Sequence, residues 1–162
     1  MPRINLLSED LINQIAAGEV IERPASVVKE LLENALDAGA TRVHIEIEDS
    51  GKKMIRIMDN GCGMDAEDAR RSILRHATSK INCDDDLFSI KTLGFRGEAL
   101  ASIAAVSKCT LITKQRSAVE GFRLFVEGGI ISDERITAAD TGTIIEVRDL
   151  FFNTPARKKF LK

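Results

Sequence analysis

Between Pro24 and Glu48 the spacing of the apolar residues switches from a helical period to a strand period, and this switch limits the fold more than any other feature. Residues 24–39, P-A-S-V-V-K-E-L-L-E-N-A-L-D-A-G, open on a proline that suits a first helical turn. They close on Gly39, which is expected to end the helix in a left-handed conformation. Residues 41–48, T-R-V-H-I-E-I-E, then alternate apolar and polar as a half-buried strand should. Ser50-Gly51 makes a turn, and Lys53–Met58 returns as the second strand of a hairpin. Further strands are expected at about 107–114, 120–127 and 142–149, and helices from about Ala66 to His76 and Glu98 to Ala105. A shorter helix follows the N-cap residue Ser8 and ends near Gly18. A few helices over one face of a mixed, mostly antiparallel sheet make an α+β two-layer sandwich.

Composition narrows the function classes. A chain of 162 residues is the size of one domain that can bury a core; lacking Trp and Tyr, that core must be aliphatic with some Phe. No apolar run approaches the roughly 20 residues of a membrane span, and no basic start leads into an apolar stretch, so neither membrane insertion nor secretion is expected. Three cysteines, Cys62, Cys83 and Cys109, are odd in number and show no C-x-x-C spacing, which points to free thiols and argues against a zinc site. A net charge of −2 excludes a polycation built for nucleic acid. Basic residues nevertheless cluster at Arg157, Lys158, Lys159 and Lys162, and at Arg70, Arg71, Arg75 and Lys80. Each cluster suits a phosphate and a solvated helix face equally well.

Chemistry-bearing residues fall in three places. On the helix from Pro24, with about 100° per residue and Glu30 set at zero, Asn34 lies at roughly +40°, Asp37 near −20° and Glu33 near −60°. Val28, Leu31, Leu32, Ala35 and Leu36 fill the opposite arc. The oxygen-bearing stripe has no lysine or arginine interleaved after Lys29, and a carboxylate one turn from an amide suits a hydrated Mg²⁺ and a water. An ordinary amphipathic helix carries an acidic face too. The second place is Asp59-x-Gly61-x-Gly63 at a strand end, where glycines let backbone approach a ligand and the aspartate suits an exocyclic amine. The same pattern also serves as a plain turn. The third, Gly94-Phe95-Arg96-Gly97-Glu98-Ala99-Leu100, runs from a loop into a helix, either as a phosphate cradle of free N–H groups or as a capped turn. The irregular stretch over 77–97 that precedes that helix has the length of a lid or binding loop.

Taken in order, E-x-x-x-N, D-x-G-x-G and G-x-x-G-x-x-L resemble the split ATP site shared by gyrases, heat-shock chaperones, histidine kinases and MutL proteins. The wording of E-L-L-E-N-A-L-D-A-G-A, D-N-G-C-G-M, R-H-A-T-S-K-I, G-F-R-G-E-A-L-A-S-I and F-F-N-T-P-A-R-K-K-F-L is similar to the MutL branch, as is I-N-Q-I-A-A-G-E-V-I-E-R-P-A-S-V-V-K-E. The resemblance spans essentially the whole chain. It implies a Bergerat-type ATP-binding fold and the following roles. Glu30 is the general base for the water that attacks the γ-phosphate, and Asn34 is the Mg²⁺ ligand, with Asp37 close behind. Asp59 reads the adenine amino group with help from Thr143, beside Gly61, Gly63 and Met64. Thr78, Ser79 and Lys80 reach the phosphates from the lid, and Gly94, Phe95, Arg96, Gly97, Glu98, Ala99 and Leu100 offer them backbone amides.

The same resemblance implies slow ATP hydrolysis used as a conformational switch in DNA mismatch repair. ATP orders the lid and a mobile arm over residues 1–22, which belongs to the same domain as 23–162, and two copies join as a homodimer. The dimer engages the mismatch-recognition protein MutS, downstream repair enzymes and, weakly, DNA, in the bacterial cytoplasm or eukaryotic nucleus. Family members continue into a second domain that supplies a lysine to the γ-phosphate and then into a dimerisation domain, so 162 residues alone are expected to turn over slowly or not at all. Two other readings stay open on the residues: a phosphotransfer kinase using the same pocket, which lacks an acceptor-histidine helix here, and a DNA-binding module resting on the basic C-terminal cluster. His76 and His44 are expected to be structural and solvated, respectively.

Overall fold

A computed structural model describes residues 23–73 and 96–154, with backbone only for 96–98. Helix α1 spans Pro24–Asp37, with Pro24 in the first turn and an extended Arg23 before it. It ends as expected. Gly39 takes φ +77°, its N–H reaches Leu36 O at 3.0 Å, and Ala40 N–H reaches Ala35 O at 3.1 Å, a pairing that satisfies the last carbonyls of the helix. The hairpin follows as β1 (Val43–Glu48) and β2 (Met54–Asp59), joined by a 3₁₀ turn over Asp49–Gly51. Helix α2 (Ala66–Ser72) is capped by Asp65, whose side chain accepts the Asp68 N–H at 2.7 Å. Acidic residues in its first turn and Arg70 and Arg71 in its last complement the helix dipole. Helix α3 (Arg96–Ala105) leads into β3 (Lys108–Lys114), β4 (Gly121–Glu127), β5 (Ile130–Thr137) and β6 (Gly142–Arg148).

The six strands form one sheet in the order β1-β2-β6-β3-β4-β5. Among the described residues every pairing is antiparallel, in keeping with the mostly antiparallel sheet expected. All three helices lie on one face. There Val27 and Leu31 of α1, Ala69 of α2 and Ile103 and Ala104 of α3 meet the inward rows Ile55–Val147–Cys109 and Ile57–Ile145–Leu111, with Leu124 and Val126 beyond. Burying such rows supplies roughly 25 cal/mol for each Å² of apolar surface removed from water.

Three departures from the sequence reading have physical causes. Strand β5 was not anticipated, because Asp133, Glu134 and Arg135 interrupt its alternation; an outer strand tolerates that, and charge there discourages pairing with another chain. Second, β1 is less buried than its alternation suggests. Ile45 and Ile47 pair with the buried Ile57 and Ile55 on the helical face, yet they are 39% and 52% exposed, since no described element covers that edge. Third, Leu36 is 60% exposed. The buried stripe of α1 is Val27, Leu31 and Ala35, centred roughly +100° from Glu30, which leaves Leu36, near −120°, turned away from the core. Residues 1–22, the end of the expected helix toward His76, and the basic residues Arg157 to Lys162 lie outside the described residues.

Candidate functional site

The inward rows of the sheet change character at one end. Above Ile57–Ile145–Leu111 the next cross-strand row, on β2, β6 and β3, is Asp59–Thr143–Thr113. Three neighbouring strands thus finish in a polar rung that faces the helices. Its threonines are nearly closed to solvent, Thr113 at 1% exposed and Thr143 at 9%, while Asp59 is half-buried. Buried hydroxyls need partners, and these have them. Thr113 Oγ1 accepts the Met64 N–H at 2.8 Å and lies 3.0 Å from Thr143 Oγ1 and 3.1 Å from Gly142 O.

Asp59 is the ionisable member. Burial pushes its carboxyl above the usual carboxylate range, against a smaller opposing effect from the backbone N–H groups of Gly61 and Thr143. The Gly61 bond, 2.8 Å to Oδ1, folds the D-x-G-x-G loop back over its own aspartate. Both glycines are required by space. A Cβ on Gly61 would sit 2.8 Å from the Ala38 Cβ, and one on Gly63, at φ +69°, would sit 2.0 Å from the Lys114 carbonyl oxygen. Cys62 N–H donates to Ala38 O at 3.0 Å. The loop is therefore stapled to the C-terminal end of α1, one turn beyond Asn34. Met64 packs against the core, and the loop ends at the Asp65 cap of α2.

On α1, Glu30 and Asn34 are half-buried on the flank of the core stripe, whereas Asp37 is exposed. Helix α3 packs against α1 and α2, so the helix entered from the third motif lies beside the other two. Ala99 and Leu100 are buried in the core, and a helix that begins at Arg96 holds the Leu100 amide beyond its first turn. Thr78, Ser79, Lys80, Gly94 and Phe95 lie outside the described residues, and only the backbone of Arg96, Gly97 and Glu98 is described. Among the described residues no three His, Cys, Asp or Glu side chains gather as a metal cluster. Mg²⁺ keeps most of its waters and needs only one or two protein oxygens, so a single amide such as Asn34 beside a phosphate fits that ion.

Other groups have settled roles elsewhere. Arg70 donates to Glu134 at 2.8 Å and stacks 5.1 Å from the Phe122 ring, while Arg71 pairs with Glu67 at 2.7 Å; both are engaged with protein partners. On the open face of the sheet, Arg56 bridges Glu146 at 2.6 Å and Glu46 at 3.1 Å. Burial works against the charge of Glu146, but hydrogen bonds from Arg56 and Arg148 hold its carboxyl below its ordinary range. His44 is exposed beside Glu46 at 3.1 Å, as a solvated strand residue should be. A concavity of about 250 Å³ opens at the same end of the sheet as the polar rung, bordered by Arg42, His44, Met58, Ile112 and Ile144 and by Asp59, Asn60, Gly142 and Thr143. Met58, Ile112 and Ile144 alternate with the inward residues of β2, β3 and β6, so these three belong to the open face, while Asp59 and Thr143 of the polar rung border the same hollow. Sequence reasoning missed Thr113, because a threonine alternating with Cys109 and Leu111 in K-C-T-L-I-T-K carries only the signal of an inward strand position.

Comparison with known proteins agrees with this arrangement. Residues 21–147 match the model of the family described as "Histidine kinase-, DNA gyrase B-, and HSP90-like ATPase". The chain is 61% identical over 160 residues to a protein of Syntrophotalea carbinolica called DNA mismatch repair protein MutL, covering 99% of the chain and 26% of that protein. It is 57% identical to the protein of that name from Caldanaerobacter subterraneus, covering 100% of the chain and 28% of the relative. The chain thus spans about a quarter of the length of such relatives. Among solved structures, the Aquifex aeolicus MutL ATPase domain complexed with ADP superposes with a TM-score of 0.67 at 40% identity, over 88% of this chain and 49% of that one. An N-terminal domain of a DNA repair protein gives 0.77 at 35% identity, over 95% and 45%.

Proposed function

Because the chain belongs to the histidine kinase-, DNA gyrase B- and HSP90-like ATPase family, we propose that it binds ATP against the Asp59–Thr143 rung and hydrolyses it slowly, as the N-terminal nucleotide domain of a MutL-type mismatch repair protein. One observation carries this reading: the Cys62–Ala38 hydrogen bond and the close packing of Gly61 on Ala38 join the E-x-x-x-N helix to the D-x-G-x-G loop, with α3 alongside.

Each residue then has a task. The Asp59 carboxylate accepts from the adenine amino group, and Thr143 adds a second contact to the base, directly or through a water. Gly61 and Gly63 keep the loop low enough for the base to lie against it, and Met64 supplies apolar packing. Glu30 holds the attacking water and takes its proton, a role supported by its half-burial one turn before Asn34 on the same helix. Asn34 is the residue that would hold Mg²⁺, and the ion when bound offsets phosphate charge. Thr78, Ser79 and Lys80, with the backbone from Gly94 through Ala99, are assigned to the phosphates, as free amides at a helix start favour. Leu100 contributes packing, and Asp37 is kept as an outer neighbour of the metal site. For the whole protein we propose ATP-driven homodimerisation that couples mismatch recognition to repair enzymes, with MutS, those enzymes and DNA as partners, in the cytoplasm of a bacterium. No helix among the described residues is long and apolar enough to cross a membrane.

Calorimetry tests binding, with ADP and ATP titrated into the chain with and without Mg²⁺. Binding of ADP supports the reading, and no heat at millimolar nucleotide would sink it. In a longer chain carrying the family's second domain, Glu30→Gln should keep nucleotide affinity while steady-state phosphate release falls by about 100-fold or more, as loss of a general base does. Undiminished hydrolysis would remove Glu30 from that role.

A further inference from the structure

Thr113 lies in the polar rung but one strand farther from the loop aspartate than Thr143, and it is almost fully buried among three polar partners. Its hydroxyl has one proton to give and two lone pairs to receive with. One lone pair is committed, because the Met64 N–H can only donate and does so at 2.8 Å. The proton has two places to go. Directed at Gly142 O, 3.1 Å away, it leaves the second lone pair to accept from Thr143, whose own proton is then turned inward and whose oxygen can only accept from the site. Directed at Thr143 Oγ1, 3.0 Å away, it frees the Thr143 proton to point at a ligand.

From this we infer that Thr113 is the positioning residue that sets the donor direction of Thr143, through the relay Met64 N–H to Thr113 O–H to Thr143 O–H to a ring nitrogen of the bound base. The inference rests on the nucleotide reading above and deepens it to specificity. Asp59 selects an exocyclic amine. The relay selects a hydrogen-bond acceptor beside that amine, and adenine carries this pair at N6 and N1. Each bond in such a chain polarises the next, so the last donor is stronger than an isolated hydroxyl. A base lacking the acceptor forfeits the last bond of the chain and turns the two hydroxyl protons back toward Gly142 O, so the relay discriminates by about one hydrogen bond.

The test compares ADP with 1-deaza-ADP, which keeps the 6-amino group for Asp59 but has C–H in place of N1. Calorimetry on the wild-type chain should show ADP bound about tenfold more tightly, the size of one lost hydrogen bond. Thr113→Val and Thr113→Ala should shrink that ratio to about twofold or less, and Thr113→Ser should restore it. A purely structural loosening of the glycine loop would weaken both ligands equally and leave the ratio alone. Thr143→Val should abolish the preference by itself, with Thr113→Val adding nothing to it. Circular dichroism on each variant identifies any that does not fold; if both hydroxyl deletions unfold, the serine and Thr143 variants decide. An unchanged ratio in a folded Thr113→Val or Thr113→Ala, a serine variant that has lost the preference, or a wild type that does not distinguish the two ligands overturns the relay. Failure of the wild type to bind ADP at all would instead overturn the nucleotide reading beneath it.

Discussion

Asp59→Asn separates binding from stability more cleanly than any other single change. The replacement has the same shape, and its Oδ1 can still accept the Gly61 N–H that now reaches the carboxylate at 2.8 Å. Keeping that bond turns the amide NH₂ to where the second carboxylate oxygen stood, so a donor meets the donor amine of adenine. A hydrogen bond to a charged group contributes about 1.5–3 kcal/mol, which at about 1.4 kcal/mol per tenfold predicts ADP affinity weaker by roughly ten- to a hundredfold. Stability should move the other way. Burial raises the Asp59 pKa, so the folded chain holds this proton more tightly than the unfolded chain does. This group's contribution to stability therefore grows as pH falls from neutral through the folded pKa, and is complete below the ordinary aspartate range. At neutral pH the ionised carboxylate costs stability that asparagine does not. Asp59→Asn should accordingly melt at or above the wild-type temperature at pH 7, with the gap closing in acid. Wild-type ADP affinity should decline on acidification with a midpoint above the ordinary aspartate value, while the variant stays flat there. Calorimetry and thermal melts from about pH 3 to pH 8 (from roughly one unit below the ordinary aspartate value to just above neutral) read both. A variant that binds ADP within about twofold of wild type, or that melts well below it at pH 7, would refute the assignment of a half-buried, base-reading carboxylate.

Two further outcomes follow from the same geometry. Gly63→Ala should lose about 2 kcal/mol or more in urea unfolding, from the left-handed backbone penalty together with a Cβ placed 2.0 Å from the Lys114 carbonyl oxygen; unchanged stability would show that the loop yields freely. Cys109 is fully buried, which pushes its thiol up to about 12, whereas Cys62 is exposed. Iodoacetamide at pH 8 (about half a unit below the ordinary thiol value) should label Cys62 and spare Cys109 until the chain is unfolded, as peptide mass mapping would show. Early labelling of Cys109 would mean that the sheet opens locally around β3.

Local chemistry made much of this molecule legible before any coordinates. Pro24 and Gly39 bracket α1 because one lacks an N–H that the first turn does not use and the other reaches a backbone region denied to most residues. Alternation placed β1, β2, β3, β4 and β6 to within a residue or two, since a pleated strand shows its two faces to two environments. Glu30, Asn34, Asp59, Gly61 and Gly63 stood out through the order and spacing of their motifs along the chain, since each motif alone also suits a solvated helix face or a plain turn.

Other features depended on what lies across space. Strand β5 carries charge through its middle and exists because β4 offers it an edge. Leu36 and Ile47 are apolar in pattern but exposed, because burial is decided by whether another element arrives, and periodicity counts only the chain's own turns. The rung of Asp59, Thr143 and Thr113 draws on residues separated by 84 and 30 positions along the chain, brought level by the register of β2, β6 and β3. A single sequence can mark which residues are able to hydrogen-bond. Only strand order and register decide which of them share a proton, because hydrogen bonding acts over about 3 Å of space regardless of distance along the chain.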